Sequence, residues 1–146
     1  MGTAAPLLFW LVLGCGGGAV TDPSRAGFEA DPRIIEGQWA TLITTAGETR
    51  RFDAELTPAG GVFLGQFDLF HNSKFVRLFF SNGTWDGTTL GFTALTPVGD
   101  RVIPFPWTAR FVEAEGDQPD RLLLLSNLFR TPIEYVRPSA LPMGFR

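Results

Sequence analysis

The sequence predicts an all-β domain: an antiparallel meander of about eight strands, closed into a barrel or folded into a two-sheet sandwich. Three observations carry this expectation. Apolar residues alternate with a period of two from Ile34 to Arg137, which is the signature of strands with one wet face. The aromatic content is 14 Phe and 4 Trp against 1 Tyr, and such side chains suit a pleated, half-buried surface. Finally, 17 Gly and 11 Pro supply many turns and oppose long helices. The 146 residues match the length of one domain.

The elements follow in order. The first strand is Arg33–Thr45, with Trp39 near its middle. In the second, Phe52, Ala54 and Leu56 face one way and Arg51, Asp53 and Glu55 the other. Thr57–Gly61 is a turn. In the third strand, Val62–Phe70, one face carries Phe63, Gly65, Phe67 and Leu69. His71-Asn72-Ser73 links it to Lys74–Ser81, where Val76, Leu78 and Phe80 oppose Phe75, Arg77 and Phe79. Asn82-Gly83 is the strongest hairpin signal, because this pair tolerates positive φ, and Asp86-Gly87 offers a second. Thr88–Thr96 aligns Leu90, Phe92 and Ala94, and Pro97–Asp100 turns the chain. Phe105–Glu113 aligns Phe105, Trp107, Ala109 and Phe111, while Pro104 and Pro106 mark an edge or bulge at its start. After a polar loop, Glu113–Asp120, come Arg121–Ser126 and Ile133–Val136. Consecutive strands usually pair, and no helix is present to cover a sheet. Closure or sheet-on-sheet packing must therefore bury the apolar faces.

The amino terminus carries different information. Pro6–Leu13 is an apolar run, too short to span a bilayer, which takes roughly 20 residues, but of signal-peptide length. No charged side chain precedes Asp22. The only cysteine, Cys15, has no disulfide partner. One reading makes Cys15 a small apolar residue within or just past a signal that is cut further on, after Ala19. The other rests on Val12-Leu13-Gly14-Cys15, which resembles the lipobox of bacterial lipoproteins. That resemblance implies cleavage before Cys15, a diacylglyceryl thioether on its sulfur and insertion of the acyl chains in membrane lipid. The chain then divides into a signal peptide (1–14), a flexible tether (15–33), a barrel-like domain (34–138) and a C-terminal tail (139–146). Its place is the outside of a cell membrane or outer membrane.

Gly37-Gln38-Trp39 resembles the Gly-x-Trp that opens calycin barrels of the lipocalin and avidin type. The resemblance implies that Trp39 plugs the barrel floor under a late arginine, Arg137 or Arg130, and that ligands enter from the other end. Trp39, Phe63, Phe67, Phe92, Trp107 and Phe111 would then line an apolar interior or pocket.

Chemistry is sparse. A formal charge of -3 and a pI near 5.1 oppose nucleic-acid binding, which needs clustered cations. His71, the only histidine, lies in a turn two residues from Ser73, and no Gly-x-Ser-x-Gly elbow exists. A zinc site needs several His or Cys ligands. Asp53, Glu55 and Asp68 are the carboxylates nearest to a glycosidase-like pair, but Asp53 and Glu55 share an outward face. Glu113, Glu115, Asp117 and Asp120 have oxygen ligands without EF-hand spacing. The expectation is a protein with no catalytic residues, metal or cofactor. It is a lipid-anchored accessory or docking module of an envelope complex, with Phe75, Arg77 and Phe79 as the docking patch. The alternatives are a barrel for a small apolar ligand or lipid, and a cell-envelope hydrolase.

Overall fold

The computed structural model describes residues 22–146, so Cys15 and the lipobox lie outside the described residues. Eight strands run in chain order: β1 (Gly37–Thr45), β2 (Glu48–Ala59), β3 (Val62–His71), β4 (Lys74–Trp85), β5 (Thr89–Val98), β6 (Arg101–Val112), β7 (Arg121–Leu125) and β8 (Ile133–Val136). Each pairs antiparallel with the next, and β8 returns to β1, closing a barrel. Of the two architectures that the sequence allowed, closure is the one adopted.

Alternation does the folding. Along β2 the buried positions are Phe52, Ala54, Leu56 and Pro58, with exposed residues between them. The turns supply the reversals. β3 and β4 are joined by Asn72 and Ser73, at φ 52° and 61°. Positive φ at both central positions is the condition of the tight hairpin turns that match strand twist. Gly60 and Gly61 do the same between β2 and β3, at φ 60° and 98°. β2 therefore runs on through Thr57, Pro58 and Ala59, which had read as turn.

Asn82-Gly83 does not reverse the chain. It lies inside β4, where the ladder to β3 loses register: Phe63 pairs with Gly83, but Gly65 pairs with Phe80. The extra residue makes Ser81 and Asn82 both point outward, and the inward set changes from Val76, Leu78 and Phe80 to Gly83 and Trp85. This is a β-bulge. The reversal comes at Asp86-Gly87, the second candidate. There the Asp86 carboxylate accepts the Thr88 and Thr89 N–H groups at 2.8 Å each, and Gly87 has φ 98°. Those bonds, first from Thr89, hold the Asp86 carboxyl below its ordinary pKa.

The bulge has a packing purpose. A β carbon on Gly65 would lie 2.8 Å from the Phe80 ring, and one on Gly83 would lie 2.9 Å from it. Two glycines on adjacent strands thus leave the space into which Phe80 turns.

The first strand also starts later than the alternation suggested. Pro32–Ile34 forms a 3₁₀ turn capped by the Asp31 carboxylate, so β1 begins at Gly37. Residues 22–33 were expected within a flexible tether, and they pack across the barrel end instead. Phe28 sits 5.1 Å from Phe63 between ring centroids. The Gly60 N–H donates to the Ser24 carbonyl at 3.0 Å, and the Trp85 indole to the Asp31 carbonyl at 3.1 Å. Arg25 grips Glu36 at 2.8 and 2.6 Å and so holds the Glu36 carboxyl below its ordinary range. The tail is docked as well. Leu141 is buried, and Arg51 donates to the Phe145 carbonyl at 2.8 Å. The amino-terminal segment is polar in sequence yet carries an apolar anchor, Phe28, which a reading by composition passes over.

Gly65 and Gly83 should differ in their tolerance. A β carbon at Gly65 meets the Glu55 backbone oxygen at 2.5 Å, whereas at Gly83 it meets only side chains, of Leu90 and Phe80, at 2.9 Å. Overpacking against fixed backbone is expected to make Gly65→Ala cost about 3 kcal/mol, and Gly83→Ala about 1 kcal/mol. Urea unfolding of the two variants checks the ranking; equal midpoints would contradict it.

Candidate functional site

The expected apolar pocket lies in the barrel interior. Trp39, Phe63, Phe67, Phe92 and Trp107 all point inward and are buried. Phe111 is only half-buried and lies edge-on to Trp39, with centroids 6.4 Å apart. The rings form one stack. Phe92 lies 5.4 Å from Phe67 at an interplanar angle of 6°, and 4.2 Å from Phe80 at 23°. Tyr135 meets the edge of the stack, 5.3 Å from Phe67. Its hydroxyl crosses from β8 to donate to the Asp68 carbonyl at 2.6 Å. The β2–β3 ladder has ended by that point, at Ala54 and Phe67. Burial drives the Tyr135 pKa far above its usual value, so the phenol stays a donor. The Trp107 indole donates to the Thr96 hydroxyl at 3.0 Å, and that hydroxyl donates to the Ala94 carbonyl at 2.9 Å. An eight-stranded barrel encloses a space that its own side chains can fill or that can hold one small ligand. Here packed aromatic rings occupy its middle. Phe129, on the β7–β8 loop, stoppers the far end against Trp107, at 5.6 Å, and His71, at 4.7 Å.

The near end is closed by Trp39. Its indole donates to the Ile35 carbonyl at 2.8 Å, and the Arg137 guanidinium lies 4.0 Å from its ring centroid. Arg137 also donates to the carbonyls of Glu36, Gln38 and Ile34, at 2.8, 3.1 and 3.1 Å. Of the two arginines in question Arg137 takes this place, and Arg130 is exposed on a loop. Burial lowers the pKa of Arg137 from its ordinary value. Gly37 is needed beside it. Its φ is 100°, and a β carbon there would lie 3.4 Å from the arginine's Nη1.

The titratable groups are scattered. Asp68 is bound at both oxygens by Arg77, at 2.7 and 2.9 Å, and Asp53 by Arg51 at 2.7 Å. Glu55 stands exposed on β2. Asp53 and Asp68 thus pair with arginines rather than with each other. In the acidic loop, Asp120 caps the Ala114 N–H at 2.8 Å. Among the described residues no group of three or more His, Cys, Asp or Glu side chains could hold a metal ion.

The outer wall is different. Phe75 and Phe79 on β4 are 55% and 63% exposed. Arg77 stands between them, its guanidinium 5.4 Å and 5.9 Å from the two ring centroids. The expected patch is therefore assembled on one face. The wall around it adds residues that the sequence reading passed over. Leu64, Leu95 and Val102 are also exposed apolar side chains. Their signal was an apolar residue at an outward position of an alternating strand, legible once the register is known. A separate groove of about 720 Å³ opens at the β1–β8 seam, lined by Leu42, Ile43, Phe70, Phe129, Ile133 and Val136 among others. The seam is loose there because Ala40 and Val136 are its one registered pair.

Comparison with protein-family models, with curated proteins and with solved structures finds no match to the chain.

Arg137 should dominate the stability of the floor. Arg137→Ala removes the donor from three carbonyls and uncovers Trp39, for an expected loss of about 2–4 kcal/mol. Arg137→Lys should recover less than half, because an ammonium lacks the planar fork that reaches several acceptors while stacked. Denaturant midpoints of the two variants decide it. Full recovery by lysine would show that charge alone matters.

Proposed function

We propose that this chain is a lipid-anchored, extracytoplasmic docking module of the cell envelope, working through its outer wall and without catalysis. The single observation that carries the reading is a contrast. The interior is filled by stacked rings, while Phe75 and Phe79 are left in solvent around an arginine. Large exposed apolar side chains gathered on one face mark contact surfaces, and aromatic–arginine groupings are typical of their energetic centres. Cys15 within Val12-Leu13-Gly14-Cys15 supports the anchor, through its resemblance to a lipobox. Arg137 stacked on Trp39 supports the calycin-like layout. That layout accommodates ligands in hollow members, but the filled interior here favours docking over an internal ligand.

Two measurements on native membranes test the reading. Intact mass should give a product that starts at an acylated Cys15 and lacks residues 1–14; a product without lipid would sink the anchor. Hydroxyl-radical footprinting should oxidise Phe75 and Phe79 in detergent-purified protein and leave them protected in the intact envelope. Equal reactivity in both states would sink the docking face.

A further inference from the structure

The outward positions of β4, β5 and β6 form a wall of unusual composition. They are Phe75, Arg77, Phe79 and Ser81 on β4, then Thr93, Leu95 and Pro97 on β5. On β6 they are Val102, Pro104, Pro106, Thr108 and Arg110. Leu95 faces Pro104 across the sheet, and Pro97 faces Val102, so the apolar surface is continuous there. Two charged side chains belong to this set: Arg77, which Asp68 of β3 neutralises, and Arg110, at the strap end of β6. Beyond β3 the composition reverses. Arg51, Asp53 and Glu55 alternate outward along β2. A barrel that spanned a membrane would need an apolar band around its whole girth, so this half-girdle fits one-sided contact.

Where the chain leaves the described structure narrows the choice of occupant. Asp22 belongs to the turn held to the β2–β3 hairpin through Ser24 and Gly60. Leu64, an exposed apolar residue of β3 that borders the wall, lies four positions beyond Gly60. Six residues, Gly16–Thr21, separate Cys15 from Asp22. Fully extended, that connection reaches about 25 Å. The stripe from Leu64 past Phe79 to Phe75 covers about 20 Å of strand. An anchor in the bilayer therefore emerges beside one end of the apolar wall and is too short to hold the barrel clear of the membrane.

Resting on the anchored reading above, we propose that the occupant of this wall is the bilayer itself. The barrel lies on its side, with Phe75, Phe79 and Leu95 in the headgroup–acyl boundary. Arg77 is suited to that place. Its charge is balanced within the fold, its guanidinium covers two rings, and its stem is apolar. Lys74 and Arg101, exposed at the far end of the wall, meet the phosphates, alongside Asp100.

The full-length acylated protein, reconstituted in vesicles of phosphatidylethanolamine and phosphatidylglycerol, tests this. A fluorophore is attached at Ser81→Cys in one sample and, in another, at Gln38→Cys on β1, four strands from β5 around the barrel, and nitroxides are carried on the lipid acyl chains. Quenching several-fold stronger at position 81 than at 38 is expected, with loss of the difference in a Phe75→Ser, Phe79→Ser background. Equal quenching at the two positions, or none, overturns the proposal. So does a protein partner in native membranes that shields position 81 while lipid nitroxides leave it bright. Intact mass taken on the same sample separates the failures: an unacylated Cys15 indicts the anchor, and an acylated chain without quenching indicts the bilayer contact.

Discussion

Strand number, tilt and shear together set the space inside a barrel, and this chain packs the middle of that space with aromatic rings. Phe67, Phe80 and Phe92 stack across the middle, with Tyr135 set against them. Everything near the stack adjusts to it. Gly65 and Gly83 give up their side chains so that Phe80 can turn inward, and the β4 bulge brings Gly83 into position. Tyr135 brings one polar atom into the core and spends it on the Asp68 carbonyl, where the β2–β3 ladder has stopped. A ring missing from this stack would leave a void that its neighbours could not refill, since cores relax only partly.

A filled interior moves function to the surface. The ends are closed, one by Trp39 under Arg137 and the Asp22–Glu36 strap, the other by Phe129 on the β7–β8 loop. The outer surface is then divided by charge. The β2 wall carries alternating Arg51, Asp53 and Glu55, a solvated layer. The β4–β6 wall carries Phe75, Phe79, Leu95 and Val102, with Arg77 already neutralised by Asp68 and Arg110 set at the strap end. Water has little to offer the second wall, and that asymmetry orients the proposals made for it.

Much of this was legible from period two alone. The inward set of β2 and β3, the buried Trp39, Phe67 and Phe92, and the outward Phe75, Arg77 and Phe79 follow from alternation. Three features escape such a reading for physical reasons. Asn82-Gly83 has the chemistry of a turn, but the nearby Asp86 carboxylate captures two backbone N–H groups and wins the reversal. One inserted residue then changes which parity faces inward, and local sequence does not announce where that happens. The polar segment Asp22–Arg33 has a composition like that of a linker, yet Phe28 and the backbone bonds of Ser24 and Asp31 dock it. Phe111, in phase with Trp107 and Ala109, was expected inside, but it lies close to the strap end of β6 and stays half-exposed against the Trp39 edge.

The central claim is that the barrel is solid. Crystals of the protein under xenon pressure measure this directly, because xenon enters dry apolar cavities and marks them. The wild-type barrel should hold no xenon among Phe67, Phe80, Phe92 and Tyr135. The Phe67→Ala variant, with its ring removed, should gain a site there and so show that the gas reaches the core. Xenon bound inside the wild-type stack would contradict the account and return the interior to consideration as a ligand site.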